Sequence, residues 1–93
     1  MIDNRIEKQC IQRLNRIEGQ IRGIADMVKQ RRYCIDIIMQ IAAAESALHK
    51  LSEIIMRNHL ETCVLSAFSS GDKADKKEKV EELMQVYAKF RIK

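Results

Sequence analysis

Two residues that bind soft metals stand four positions apart in the second half of the chain, His59 and Cys63. On a helix both side chains project from one face, one turn apart. An imidazole and a thiolate at this spacing form a two-point chelate for a soft or borderline metal ion. The pair also has an explanation without metal, because histidine near a helix carboxyl end favours the helix dipole and cysteine is common in cores.

A second cysteine, Cys34, lies 25 residues before His59, at the predicted start of the same helix. This separation is about 37 Å at 1.5 Å per residue, so one continuous helix cannot bring all three ligands together. Two such helices can, if they pair antiparallel about a two-fold axis near Ala47 and Leu48. Cys34 of one chain then lies beside His59 and Cys63 of the other, which gives two equivalent sites per homodimer.

Two thiolates and one imidazole form a soft ligand set of low coordination number. Such a set suits Cu(I) and leaves Zn(II) without a fourth ligand. An outer hydrogen bond to the far nitrogen of His59 fixes its tautomer. The residues considered for that place are Tyr33 and a glutamate of the third helix, for which we take Glu81 among Glu78, Glu81 and Glu82. A half-buried aromatic and a solvated face are the ordinary alternatives.

Three amphipathic helices must position these residues. Apolar residues recur every three or four positions over residues 3–29 and again over about 33–67, which predicts two long helices. The second is roughly 50 Å long and a domain of this size is roughly 26 Å across, so we expect a partner chain to cover it. Lys29 to Arg32 is predicted as the connection. A turn at 69–72 and a charged stretch that can fray, 73–79, precede the third helix.

The composition favours an all-α fold of one domain, residues 1–93. The 93 residues include no proline and three glycines, too few breakers for an all-β chain of many turns. No apolar run approaches the roughly 20 residues that span a bilayer, and the N-terminus has no apolar signal stretch. We therefore expect a cytoplasmic protein with no membrane partner.

The remaining chemistry-bearing residues are assigned to packing or to solvent. Three cysteines are an odd count, and in a reducing compartment they favour free thiols that bind metal or react. Cys10, on the apolar stripe of the first helix, is predicted to be a core residue. His49 is predicted to be exposed and without a chemical partner. The methionines are interpreted as helix packing.

Charge is distributed unevenly along a chain of net charge +4. Residues 1–33 carry eight Lys and Arg against four Asp and Glu, whereas residues 34–67 carry two against four. A basic helix face fits the phosphates of duplex DNA, and a copper-buffering protein has no need of one. The residues predicted to contact DNA are Arg13 and Arg16, with Arg5, Gln20 and Lys50 at the edges.

At these residues the chain resembles the copper-sensing operon repressor family, the CsoR/RcnR/FrmR group of small bacterial transcriptional regulators. Three segments carry the resemblance, RLNRIEGQIRG at 13–23, YCID at 33–36 and HLETC at 59–63. It implies a three-helix chain without a helix-turn-helix, an antiparallel dimer and a disc-like homotetramer. It also implies that the apo-protein binds operator DNA, that the inducer releases it, and that the Cys, His and Cys ligands come from two protomers.

The sequence differs from the other branches of this family at informative positions. Nickel and cobalt sensors have a ligand near the N-terminus where Ile2 stands here, next to Asp3. Formaldehyde sensors use an N-terminal proline, and persulfide sensors lack the histidine that corresponds to His59. We predict a Cu(I)-responsive repressor that is not an enzyme and has no small-molecule substrate. Nickel (Ni(II)) or persulfide sensing and cytosolic copper buffering are the alternatives.

Overall fold

The computed structural model describes residues 2–71 and 73–90, and within this range it leaves out six side chains, those of Cys63, Val64, Ser66, Ala67, Ser70 and Phe90. The described residues form helices and no strand. In chain order the elements are α1 (Asn4–Lys29), α2 (Cys34–His59), a π-helical turn (Leu60–Val64), α3 (Leu65–Ser70) and α4 (Lys73–Phe90). The predicted all-α fold class is confirmed.

Side-chain and backbone caps define both ends of α1. The carboxylate of Asp3 accepts a hydrogen bond from the Ile6 N–H at 2.9 Å, the usual way to satisfy a free donor at a helix start. At the other end Arg31 has a positive φ of 54°. Its N–H and that of Arg32 bond back to α1 carbonyls at 3.0 Å each, which terminates the helix as a Schellman-type cap. The chain then reverses and α2 begins at Cys34.

Residues 2–55 form one compact unit, and the chain from Met56 onward forms the other. In the first unit Ile6 and Cys10 of α1 pack with Leu51 of α2, and Ile54 packs against this cluster. Cys10 is only 6% exposed, so its predicted place in the core is confirmed.

The first unit leaves most of its apolar surface uncovered by its own chain. On α1 the exposed apolar residues include Ile11, Leu14, Ile21 and Val28, and on α2 they include Ile35, Ile38, Met39, Ile41 and Leu48. Contiguous exposed apolar faces on helices mark surfaces that bind another chain. The unit therefore has exposed apolar helix faces, as expected from the prediction that a partner chain covers the second helix.

The second unit departs from the predicted single helix over 33–67. The helix is interrupted by the π-turn and then resumes as α3 to Ser70. The Thr62 hydroxyl donates to the Asn58 carbonyl at 2.8 Å, a side-chain bond that competes with the α-helical ladder and bends helices. Gly71, with φ of 79°, ends α3 at the predicted turn, whose Asp72 lies outside the described residues.

The charged stretch 73–79, which was expected to fray, is the first part of α4. Two contacts hold it: the Lys79 ammonium lies 3.7 Å from a Glu82 oxygen, and the Lys76 ammonium lies 5.7 Å from the Phe68 ring centroid. Cation–π and i, i+3 ion pairs of this kind stabilise helices modestly. Within the described residues, no helix is long and apolar enough to cross a membrane.

Candidate metal centre and nucleic-acid interface

Cys34 is the first residue of α2, and its thiol is free and exposed. The preceding Tyr33 is 70% exposed and accepts a hydrogen bond through its backbone carbonyl from the Ile37 N–H at 3.2 Å. Tyr33 therefore starts the helix through its main chain, while its ring stands in solvent. In the single chain Tyr33 is therefore exposed, unlike the half-buried aromatic considered as the alternative to an outer role, and both side chains are accessible to a partner chain.

His59 is the last residue of α2, which is unbroken from Cys34 onward. Its side chain is 31% exposed, and its Nε2 lies 4.0 Å from Oε2 of Glu82 on α4. Glu82 is partly buried and Glu81 is exposed. Of the three glutamates considered for the outer position, the structure thus brings Glu82 to the imidazole and favours it over Glu81.

Cys63 lies inside the π-turn, directly after His59, and its side chain is outside the described residues. The Leu65 N–H, which follows the turn, bonds to the carbonyls of Leu60 and Thr62. Single π-turns inserted in α-helices are frequent at functional sites. Sequence reasoning missed this turn, and the sequence offers no specific signal for it. Among the side chains described, no three His, Cys, Asp or Glu residues are grouped to hold a metal.

The predicted DNA-contacting residues of α1 are accessible. Arg5 and Arg16 are exposed, and Arg13 and Gln20 are partly exposed. Glu18, the acidic residue nearest to Arg16 in this stretch, pairs with Arg22 at 2.8 Å. In the part of the chain that the structure describes, Arg13 and Arg16 consequently keep their charges without an ion pair.

The environment of Lys50 and His49 differs from prediction. Glu53 lies 3.1 Å from His49 Nε2 and 3.9 Å from Lys50 Nζ. His49 was predicted to be exposed without a chemical partner, and this is wrong because Glu53 is one turn further along the same helix face. Lys50 is exposed, but it shares its carboxylate neighbour with the imidazole, so it presents less free charge than Arg16.

Comparison with known proteins places this geometry among metal-dependent regulators. A family model described as metal-sensitive transcriptional repressor matches residues 6–89. The copper-sensing transcriptional repressor CsoR of Bacillus subtilis (strain 168) is 42% identical over 82 residues, which are 88% of this chain and 78% of that protein. The copper-sensing transcriptional repressor RicR of Mycobacterium tuberculosis is 46% identical over 59 residues, 63% of this chain and 62% of that protein.

Solved structures agree with the sequence comparison. The Cu(I)-bound copper-sensing repressor CsoR from Geobacillus thermodenitrificans superposes with a TM-score of 0.88 and 36% identity, covering 98% of this chain and 94% of that one. The nickel-responsive transcriptional regulator InrS superposes with a TM-score of 0.74 and 31% identity, covering 89% and 90% of the two chains. The arrangement of helices is therefore shared with two metal-responsive proteins.

Proposed function

The chain belongs to the metal-sensitive transcriptional repressor family, and from this premise we propose that it is a Cu(I)-responsive repressor. The apo-protein binds operator DNA, and Cu(I) binding releases it. The observation that carries the choice of metal is the donor set of α2 and the turn after it, two thiols and one imidazole at Cys34, His59 and Cys63. Soft, low-coordinate donor sets of this kind select Cu(I).

The metal site is proposed to form between two chains. An unbroken helix of this length is about 39 Å long, which separates Cys34 of one chain from its own His59. An antiparallel pair of α2 helices removes that separation, because Cys34 of one chain then meets His59 and Cys63 of the partner subunit. The exposed apolar residues along α1 and α2 support this homodimer, and a homotetramer made of two such dimers is proposed from the family.

Glu82 is proposed to orient the imidazole of the site. Its carboxylate lies on the Nε2 side of His59, which leaves Nδ1 as the nitrogen for the metal. A carboxylate on the far nitrogen of a ligating histidine fixes the tautomer and raises ligand basicity. Lys79 holds the other oxygen of Glu82 at 3.7 Å and so limits its rotation. Tyr33 is proposed as the second outer group, contributed from the Cys34 side.

DNA is proposed to bind through the α1 face that carries Arg13 and Arg16, with Arg5, Gln20 and Lys50 at its edges. A homotetramer repeats this face, so many phosphate contacts form together and affinity falls steeply with salt. Copper need not touch the DNA. Joining α2 of one chain to the partner subunit changes helix packing, and a coupling free energy of about 1–3 kcal/mol is typical between two such sites.

Operator binding with and without copper tests this function. Fluorescence anisotropy of a duplex selected in vitro on the apo-protein should give tight binding that weakens at least about 10-fold when one Cu(I) per subunit is added anaerobically. Arg13→Ala/Arg16→Ala should lose operator affinity while keeping Cu(I) binding. Arg22→Ala is the matched control, because its charge is already paired with Glu18. Operator binding that tightens with Cu(I), or that survives the double substitution, contradicts the mechanism.

The similarity to the nickel-responsive regulator InrS supports a second candidate function, a Ni(II)-responsive repressor. The same anisotropy measurement distinguishes the two metals. We expect Ni(II) to leave the complex intact, because Ni(II) prefers square-planar or tetragonal nitrogen and oxygen donors over a thiolate-rich, low-coordinate set.

A further inference from the structure

The connection between α1 and α2 is a concentrated patch of positive charge that the proposed DNA face does not include. Lys29, Arg31 and Arg32 are all exposed. No Asp or Glu stands between Asp26 and Asp36 in the sequence. None of the three cations has an ion pair within the residues that the structure describes. The charged groups of α1 and α2 nearby, by contrast, include paired ones such as Arg22.

The patch is held in a defined conformation. The N–H groups of Arg31 and Arg32 bond to the carbonyls of Val28 and Met27 at 3.0 Å each. Arg31 occupies the left-handed region with φ of 54°, where a non-glycine residue costs roughly 1–2 kcal/mol. The two guanidinium groups are thus attached to a fixed turn, and the entropy lost when they bind an anion is smaller than it is on a flexible loop.

The spacing between the turn and Arg16 along α1 is compatible with contacts to one long polyanion. Arg16 and Arg31 are 15 residues apart, which is about 22 Å along a helix axis. Phosphates on one DNA strand are spaced about 3.4 Å apart along the helix axis. A duplex lying along α1 therefore places phosphates six or seven base pairs further on beside the connection.

We propose that Arg31 and Arg32 form a second contact to the DNA phosphate backbone, separate from the face of Arg13 and Arg16. This contact rests on the proposed DNA-binding function and extends it. Arginine is well suited to the role, because its planar group donates two parallel hydrogen bonds to a phosphate. The contact carries no sequence information. It lengthens the footprint and increases the salt dependence of binding.

A charge-matched pair of variants tests the contact. Arg31→Asn/Arg32→Gln removes two charges and keeps a residue that tolerates a positive φ. Lys73→Gln/Lys77→Gln removes two charges from exposed positions of α4. Binding of the apo-proteins to the selected duplex is measured by anisotropy from 50 to 300 mM salt, alongside thermal stability, oligomer size and Cu(I) stoichiometry.

The connection variant should bind at least about 10-fold more weakly at low salt. Its slope of log K against log salt should become shallower by about 1.8 for each subunit that faces the duplex, since each of the two lost arginine contacts removes about 0.9. The α4 variant should match wild type. On a duplex shortened by seven base pairs at each end, the connection variant and wild type should converge.

Three results overturn the contact. The first is a connection variant that binds the duplex as tightly as wild type with the same salt slope. The second is an equal loss of duplex affinity in the α4 variant, which would reveal a general charge effect. The third is a loss that persists undiminished on the shortened duplex. If the wild-type protein binds no duplex at all, the proposed DNA-binding function is wrong, and the contact is wrong with it. If wild type binds and only the connection variant behaves unexpectedly, the contact alone is wrong.

Discussion

The two compact units of the chain differ in how the side chains proposed to act in function are paired. In residues 2–55 the guanidinium groups of Arg13 and Arg16 stay unpaired among the described residues and face outward from α1. In the second unit the Glu82 carboxylate lies between two positively charged or ionisable groups. The Lys79 ammonium is 3.7 Å from one oxygen, and the His59 imidazole is 4.0 Å from the other. Cations without an ion pair are available to bind the phosphates of DNA. A carboxylate beside a histidine can instead fix the orientation of that histidine as a metal ligand.

The units also differ in what is buried. All buried apolar side chains of the described residues belong to residues 2–55: Ile6, Cys10, Ile17, Ala44 and Leu51. The buried polar residue, Asn58 at 9% exposure, belongs to the second unit beside the π-turn. Regions with few buried apolar contacts open and rearrange at lower free energy than cores do. The second unit is therefore the one expected to change shape when a metal binds.

The largest effect is expected from removing the proposed cysteine ligands of the metal site. Losing an outer hydrogen bond at a metal site typically weakens metal affinity about 10–100-fold. Homodimers of Cys34→Ala or of Cys63→Ala lose a ligand itself, so each should lose more Cu(I) affinity than that. Refolding the two variants together should restore one intact site in each heterodimer, because Cys34 survives on one chain and Cys63 on the other. Competition with a Cu(I) chelator measures both affinities.

Cys10→Ser mixed with wild type is the control for this experiment, since Cys10 is buried and is not among the proposed ligands. A heterodimer of the two cysteine variants that binds no Cu(I) tightly, while wild type does, would show that the ligands do not come from two chains. The difference between the two units would then have no role in the proposed metal site.

The next largest effect is expected in the apolar core. Leu51→Ala removes a 6% exposed side chain from the cluster with Ile6 and Cys10, and such truncations cost about 2–5 kcal/mol. Leu83→Ala is the matched change in the second unit, where Leu83 lines an open apolar cleft of about 330 Å³ and is only partly buried. Urea unfolding measures both free energies. Equal losses would mean that the two units contribute equally to stability.

Comparing Glu82→Gln with Glu81→Gln tests which glutamate orients the proposed metal ligand His59. Glu82→Gln should weaken Cu(I) binding by about 10–100-fold, the usual effect of losing the outer partner of a ligating histidine. Glu81→Gln, one residue earlier and exposed, should leave the affinity unchanged. Chelator competition at fixed pH gives both values. The reverse ranking would reinstate Glu81 as the orienting residue.

The sequence predicted those features that depend on periodicity and on ligand type. The apolar spacing of α1 and the buried Cys10 follow from a near-heptad stripe, which is a local signal. The three proposed metal ligands follow from chemistry and helix rise, and they stay a prediction, since the side chain of Cys63 lies outside the described residues. The family and the all-α fold were predicted and are confirmed.

Features that depend on competition between weak local interactions were not predictable. The π-turn contains Thr62, whose hydroxyl donates to the Asn58 carbonyl, and sequence spacing does not reveal such a side-chain bond. The pairing of His49 with Glu53 depends on side-chain rotamers on an exposed helix face. The choice between Glu81 and Glu82 depends on how α4 packs, and helix rotation is not encoded in a charged stretch of mixed sign.

The smallest expected effect compares the two positions where a helix ends with a positive φ, Arg31 at 54° and Gly71 at 79°. Glycine at the Arg31 position relieves a left-handed strain of roughly 1–2 kcal/mol but adds about 0.5–1 kcal/mol of unfolded-state entropy. Arg31→Gly should therefore stabilise the DNA-free protein by about 0.5–1 kcal/mol, which is a few degrees in melting temperature.

Gly71→Ala should have the opposite sign. Among the described residues beyond its chain neighbours, no atom lies within 4 Å of the added Cβ, so we attribute the cost to backbone strain, about 1 kcal/mol. Thermal unfolding of both variants without DNA decides the point. If Arg31→Gly destabilises the protein, the arginine side chain must be contributing contacts of its own to the fold. The left-handed conformation of Arg31 would then be compensated by those contacts, and the expected net gain from glycine would be wrong.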